Sequence, residues 1–402
     1  MDATGSSKRN KGRESRTLLN VNGRIEFKRI RYQSVDKGSE HPIDELVDDA
    51  METAVSVGLR ELCCELGIAG RSFARSAKSL KDAAQIGMSE EMLRQVIESE
   101  GKAVLKASAT EQLELDWSAS ECKTRNPQGE QVSRIYVSVD GVTVPVTTAV
   151  EKNKCRETVL AKRKAMPVEK RKGLVPLRCV KKGSDQRFKQ VYVTILYDQD
   201  KTHRLVGVTR QDHRGLGKLL KREAARVKLR GAVERVGLVD GAVCLRRHLE
   251  DLPLELILLD FYHLSEHTND GSRKTLGEKT EAGKQWVQEV LHAARHEGYA
   301  PFFQKLLDWR SGLRGNKRKE ADRLLNYVAE RQEMIAYDLC DQRGWDVGTG
   351  PMESMCGVTT DRIKGRGRRW DIDHAEEVMA LEAMYQSNLW DKYWANALCN
   401  RN

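Results

Sequence analysis

Three short apolar runs in the middle of the chain each close on an aspartate, and they constrain the fold more than any other feature. The runs are RIYVSVDG with Asp140, RVGLVDG with Asp240 and LELILLD with Asp260. Runs this short, rich in Val, Ile and Leu, read as strands with at least one buried face. The first continues as RIYVSVDGVTVPVTTAV, whose β-branched alternation suits paired strands about Asp140-Gly141. Next comes FKQVYVTILYDQDKTHRLVGVTR, a hairpin turning near Gln199-Asp200, and then the helical LGKLLKREAARVKL. AVCLRRHLEDL is a helix before the third run. The order strand, strand, strand, helix, strand, helix, strand is that of an α/β protein with a mixed sheet.

The flanking segments have other periods. Residues 1–16 are polar, basic and contain Gly and Ser, the composition of a disordered tail. Residues 17–42 hold a β-hairpin signalled by Asn22-Gly23. Residues 43–108 turn helical, with Ser89 before Glu90 and Glu91 as a helix start. Three short helices suit a helix-turn-helix module whose last helix enters a major groove, and a plain helical linker domain fits the same pattern. Residues 109–264 carry the strands, 265–343 read as helix throughout, and 344–402 hold the last helices. There, Pro351 suits a first helical turn and Gly365 its end, and Asp373 with Glu376 forms a capping box for the helix that follows.

Charge points to a polyanion. The 402 residues carry a formal net charge of +10. The segment Glu151–Gln190 holds fourteen Lys/Arg against four acids, so it alone carries as much excess charge as the whole chain. Nucleic acid is the partner that this pattern favours over a merely solvated loop. No apolar run reaches the roughly 18 residues needed to span a membrane, and no leader pattern opens the chain, so an intracellular protein without a membrane partner is expected. Nine cysteines are scattered without a CxxC pair, which argues against a disulfide framework and a zinc cluster.

Three carboxylates stand out for chemistry: Asp140 within or at the end of a strand, Asp240 at a strand end, and Glu353 in the first turn of a helix. A lone aspartate at a strand end is usually a turn former or a helix cap. As a set, they can converge to hold two Mg²⁺ or Mn²⁺ ions, hard cations that take oxygen ligands and phosphate oxygens alike. Two ions about 3.5–4 Å apart suit phosphodiester displacement. In LELILLDFYHLSEH, Asp260 precedes His263 and His267; two histidines and an aspartate without a thiol are a thin ligand set for zinc. On the Glu353 helix, positions 353, 356, 360 and 364 share a face, which places Lys364 beside the carboxylate, with Arg366, Arg368 and Arg369 beyond it.

The succession IYVSVDG, VGLVDGA, LLDFYHLSEH, GTGPMESMCGVTTDRIKGRGRRW and LWDKYW resembles the transposases of bacterial insertion sequences of the Kra group (the ISKra family), DDE enzymes related to the Mutator-like transposases. The resemblance runs from about residue 55 to the C-terminus. It implies an RNase H-like mixed-sheet catalytic domain interrupted by an all-α insertion at 265–343, with a small helix-turn-helix-like DNA-binding domain before it. Asp140, Asp240 and Glu353 would be the catalytic and metal-holding triad, with two Mg²⁺ or Mn²⁺ ions and no zinc. Asp260 and His263 would match the Asp/Cys-x-x-His signature beside the triad, as auxiliary active-site residues. Lys364, Arg366, Arg368 and Arg369, with Lys162, Arg163, Lys164, Lys170, Arg171 and Lys172, would grip double-stranded DNA: the element's terminal inverted repeats and the target. Synapsis implies a homodimer or higher assembly in the DNA complex, on the bacterial nucleoid in the cytoplasm. Relatives carry a cysteine cluster near the N-terminal hairpin, whereas RYQSVDKGSEHPID has none, leaving 43–108 as the end-binding module. Two rival readings are a DNA-binding regulator on an inactive nuclease fold and a tyrosine recombinase using Tyr327 or Tyr337.

Overall fold

The computed structural model describes residues 8–34, 38–43, 54–177, 179–180 and 186–399. The class is the mixed α/β one expected, with a mixed multi-strand sheet and many helices. In chain order come β1 (Lys8–Asn20), β2 (Gly23–Ser34), β3 (Gly38–Glu40), α1 (Val57–Ala69), α2 (Phe73–Ala84) and α3 (Glu90–Ala109). Then follow β4 (Lys123–Arg125), β5 (Gln131–Pro145), α4 (Ala149–Ala165), α5 (Val168–Arg171), β6 (Phe188–Asp198) and β7 (Arg204–Thr209). Next are α6 (His213–Arg226), β8 (Glu234–Val239), α7 (Val243–Glu250), β9 (Leu256–Leu259) and α8 (Phe261–Leu276). The last are α9 (Glu281–His292), α10 (Tyr299–Ser311), α11 (Gly315–Ala329), α12 (Tyr337–Arg343), α13 (Gly350–Asp361), α14 (Ile372–Gln386) and α15 (Trp390–Cys399). Two compact units divide the chain: residues 1–113, 143–189 and 359–402, and residues 114–142 with 190–358. Among the described residues, no helix is long and apolar enough to cross a membrane.

In the first unit β1 and β2 pair antiparallel, closing at Asn20↔Gly23. Gly23 takes φ +108°, a region that favours glycine, so the Asn-Gly signal marks the turn as expected. β1 starts at Lys8, so much of the stretch assigned by composition to a disordered tail is strand; residues 1–7 lie outside the described ones. The ladder to β2 and the Glu14–Arg29 pair, with Arg29 Nε donating at 2.8 Å, order these charged residues. Ser56, Ser72 and Ser89 each cap a helix by accepting from a backbone N–H three residues on. α3 buries Leu93, Val96, Ile97 and Val104, and its Gly101 lies so close to α14 that a Cβ would stand 2.3 Å from the Glu377 carbonyl. The helices of 43–108 are therefore not a free-standing module. C-terminal elements complete their core, as where the Tyr393 hydroxyl donates to the buried Glu100 at 2.9 Å.

The second unit holds the sheet, in the order β7-β6-β5-β8-β9, with β4 paired to β5. β6 and β7 form the expected antiparallel hairpin, while β5, β8 and β9 run parallel. One strand expectation fails. β5 runs unbroken through Asp140-Gly141, where the sequence suggested a turn. Gly141 is there because a Cβ would lie 2.0 Å from Gln190 Nε2 on the neighbouring chain segment, a demand of close approach and not of chain reversal. Val137, Val139, Val193, Ile195, Val236, Leu238 and Leu258 form the buried core of the sheet. A buried ion pair crosses it: Arg134 Nε donates to Glu234 at 2.6 Å, and the same guanidinium holds the Gly344 and Arg343 carbonyls.

Beyond β9 the chain is helical as far as Arg343, as expected for 265–343. Pro351 stands in the first turn of α13, also as expected. The end of α13 is different. It stops at Asp361, and the left-handed glycine beyond it is Gly367 at φ +74°, while Gly365 makes room for the Arg368 side chain. A last turn follows, in which the Lys364 N–H donates to the Thr360 carbonyl at 2.8 Å. α14 is capped by Asp371, whose carboxylate accepts from the Asp373 N–H, in place of the expected Asp373 box.

Candidate active site

Strand register builds the site. Ser138 pairs with Leu238 across β5 and β8, and two residues on, Asp140 and Asp240 continue side by side. Val239 pairs with Leu259 across β8 and β9, so Asp240 and Asp260 are likewise adjacent. Three parallel strands thus deliver three aspartates to the carboxyl edge of one sheet, where open α/β sheets bind ligands. The three apolar runs that close on aspartates therefore end at one place.

Each aspartate has a different task. Asp140 is half-buried, accepts from the Gly141 N–H at 2.6 Å and lies 3.8 Å from the Cys356 thiol on α13. Burial holds its carboxyl above the usual carboxylate range; Asp240's charge adds to this, while the Gly141 N–H, Cys356 and His263 oppose it. Asp240 accepts from the Ala242 N–H at 2.8 Å, fixing the turn after β8. Asp260 is fully buried and makes the most contacts. Its Oδ2 accepts from His263 Nδ1 at 2.6 Å, and its Oδ1 accepts from the Thr349 N–H at 3.0 Å. It also caps α8. One carboxylate thus both caps α8 and holds the His263 ring.

Through Thr349, Asp260 is tied to the segment that starts α13, and Phe261 N–H adds a bond to Val347 O at 3.0 Å. Glu353 sits in the first turn of α13 and is exposed, one turn before Cys356. Among the described residues, oxygens of Asp140, Asp240 and Glu353 do not all fall within 4.8 Å of one another. His263 is half-buried; burial acts to lower its pKa, but the Asp260 hydrogen bond and charge, with Asp240 and Glu266, leave it raised. With Nδ1 committed to Asp260, Nε2 is the atom His263 presents.

The helical stretch after β9 also holds the turn that follows β8. Arg331 Nε and NH2 both donate to the Gly241 carbonyl, at 3.1 and 2.8 Å, and its NH1 donates to Tyr327 O. Gly241 takes φ +88°, and a Cβ there would meet Arg331 Nε and Leu259 Cδ1, each at 2.8 Å. The Tyr327 ring lies between His267, 3.9 Å away centroid to centroid, and the Arg331 guanidinium at 4.0 Å. Its hydroxyl is buried and burial pushes it up to about 12. Tyr337 is wholly buried and donates to Leu259 O at 2.9 Å. Neither hydroxyl is open to a phosphodiester. Arg331, Thr349 and Cys356 carry no sequence signal, because each matters through a contact that only the fold creates.

In the first unit the basic residues divide into occupied and open ones. Arg368 donates to the Arg362 carbonyl at 2.7 Å, and Arg369 pairs with Glu151. Arg163 donates to Val175 O, and Arg171 to Met166 O and Lys164 O. Lys162, Lys164, Lys170, Lys172, Lys364 and Arg366 are exposed. A cleft of about 840 Å³ is lined by Arg71, Phe73, Arg94, Arg368 and Trp370, with Arg362 in its wall. Arg362 is buried against the Phe73 and Trp370 rings, and desolvation brings its pKa down to about 10.

Residues 8–164 match the family model described as "Uncharacterised protein family (UPF0236)". The match covers the hairpin, the first helices and β5 with Asp140, and stops before Asp240 and Glu353. No curated protein matches the chain.

Proposed function

We propose that the chain is a DDE-type DNA transposase of a bacterial insertion sequence, with Asp140, Asp240 and Glu353 as its carboxylates on an RNase H-like domain. The observation that carries this reading is the parallel register that sets Asp140, within β5, beside Asp240 and Asp260, just past the ends of β8 and β9. A central β5 with parallel β8 and β9 on one side and the β6–β7 hairpin on the other also supports it.

The donor set fits hard divalent cations. Asp140 and Asp240 are oxygen donors close enough for one charge to raise the other's pKa, a repulsion that a cation relieves. Two such ions would suit the phosphodiester displacement that the reading requires. When bound, Mg²⁺ or Mn²⁺ would activate the attacking oxygen and stabilise the leaving one. The chain's own residues do the rest. His263, held by Asp260, offers Nε2 to a phosphate oxygen of the scissile strand. Arg331 fixes the carbonyl next to Asp240. The exposed lysines of α4 and the 364–366 loop grip the DNA backbone, and α1–α3 serve as the helix-turn-helix-like module that binds element ends.

The test is strand cleavage and transfer on DNA bearing the element's own ends, with wild type, Asp240→Asn and Glu353→Gln, in Mg²⁺, Mn²⁺ or EDTA. Metal-dependent products from wild type alone are expected. Products that persist in both variants or in EDTA would overturn the assignment, and binding without cleavage would favour the regulator reading.

A further inference from the structure

Away from the strand ends, the second unit gathers a second constellation that sequence spacing conceals. Asp198 ends β6 and His203 precedes β7, so they face each other across the hairpin turn. His203 Nδ1 lies 2.8 Å from Asp198 Oδ2, and the His203 N–H donates to Asp198 Oδ1 at 3.1 Å. Cys122 arrives from the other direction, just before β4. Its carbonyl is anchored by the Arg134 N–H at 2.8 Å. Ligand atoms of Cys122, Asp198 and His203 lie within 4.8 Å of one another. Cys122 and Asp198 are buried, while the His203 side chain is about one-third exposed, which leaves a way in from solvent. The Trp117 ring, 5.2 Å from His203, walls one side.

We propose that Cys122, Asp198 and His203 form a site for a divalent cation of the zinc type, which clips the β6–β7 turn to the segment leading into the central strand. The chemistry of the three donors selects the ion. A thiolate, an imidazole and a carboxylate suit Zn²⁺ or Co²⁺ and discriminate against Mg²⁺, so this site is separate from the oxygen-only strand-end carboxylates. A water completes four-coordination. A free cysteine thiol is mostly protonated at neutral pH, whereas the thiolate is the metal ligand. Binding therefore expels the thiol proton to solvent, and affinity rises with pH. This inference does not depend on the transposase reading.

Chelator-stripped full-length protein would be titrated with Zn²⁺ against a chromophoric competitor and, in parallel, with Co²⁺ while the thiolate-to-cobalt absorption band is followed. Wild type is expected to take up one Zn²⁺ tightly, show the band, and unfold at a higher temperature with metal. Cys122→Ser and His203→Asn should each weaken uptake by more than about 100-fold, beyond the usual loss for a merely supporting residue. Asp240→Asn should leave uptake unchanged. His203→Asn, at a half-exposed position, gives the answer if Cys122→Ser fails to fold. The proposal is overturned if wild type binds no Zn²⁺ at micromolar concentration, if the cobalt band survives in Cys122→Ser, or if uptake disappears only on replacing the exposed Cys155, Cys179 and Cys244.

Discussion

Replacing Gly241 by alanine tests whether the helical insertion grips the turn that carries Asp240. Two costs add at this position. The backbone sits at φ +88°, where an L side chain costs about 1–2 kcal/mol. The new Cβ would also stand 2.8 Å from both Arg331 Nε and Leu259 Cδ1, an overpacking that costs about 1–3 kcal/mol. Gly129 provides the control, because at φ +83° a methyl added there would have nothing within 4 Å. Gly129→Ala should therefore lose only the backbone part. In a unit of this size each kcal/mol moves the midpoint by about 2–4 °C, so thermal unfolding followed by calorimetry resolves the two. Gly241→Ala is expected to unfold several degrees below Gly129→Ala and to lose strand cleavage, since relieving the clash moves the Arg331 fork off the Gly241 carbonyl. In an Arg331→Ala background part of the clash is gone, so the two substitutions should be less than additive. Equal midpoints for the two glycine variants, or full additivity with Arg331→Ala, would refute this account of the turn.

Other outcomes follow from the same contacts. Asp140 has a folded pKa above its ordinary value, so its contribution to stability is favourable at low pH and is lost as pH rises through that pKa. Asp140→Asn should abolish cleavage yet raise the midpoint at pH 7, with the gain shrinking as pH falls below the carboxylate range; a lower midpoint at pH 7 would contradict this. For His263 the raised pKa means stability present below about 6.5 and lost as pH climbs through the folded value, so Asp260→Asn should bring the His263 titration down in an NMR pH series. Arg134→Met leaves the buried Glu234 with only the exposed Arg343, 3.8 Å away, and should cost about 3–5 kcal/mol in denaturant unfolding, against little for an exposed pair such as Lys78–Asp82. Lys364→Glu and Arg366→Glu should each weaken DNA binding and flatten its salt dependence by about 0.9 in slope, whereas Arg369→Glu should do less because Glu151 already neutralises that side chain.

The legible parts of this chain were those written in short-range pattern. The strand runs leading into Asp140, Asp240 and Asp260, the Asn22-Gly23 turn, the Ser89 cap and the helical stretch after β9 each depend on a few neighbouring residues, and each stands in the structure. Asp140-Gly141 misled because Asp-Gly is a turn signal only when the glycine needs its freedom; here it needs its smallness, against Gln190. The basic N-terminal stretch misled for a related reason. Composition reports the cost of burying charge, but β1 leaves Arg9, Lys11 and Arg13 exposed and satisfies its backbone through the β2 ladder. The supporting contacts were out of reach in principle: Arg331 on Gly241, Thr349 on Asp260, and Cys122 beside Asp198 and His203 join residues that no local rule connects.

The most direct test of the central reading places a single sulfur at the scissile phosphate. Element-end DNA would carry a phosphorothioate of defined configuration there, and cleavage by wild type would be compared in Mg²⁺ and in the more thiophilic Mn²⁺. If the carboxylates of Asp140, Asp240 and Glu353 hold cations against that phosphate, one diastereomer should be cut poorly in Mg²⁺ and rescued by Mn²⁺, with no rescue in Asp240→Asn. Equal cleavage of both diastereomers in both metals, or rescue that survives in Asp240→Asn, would contradict the account.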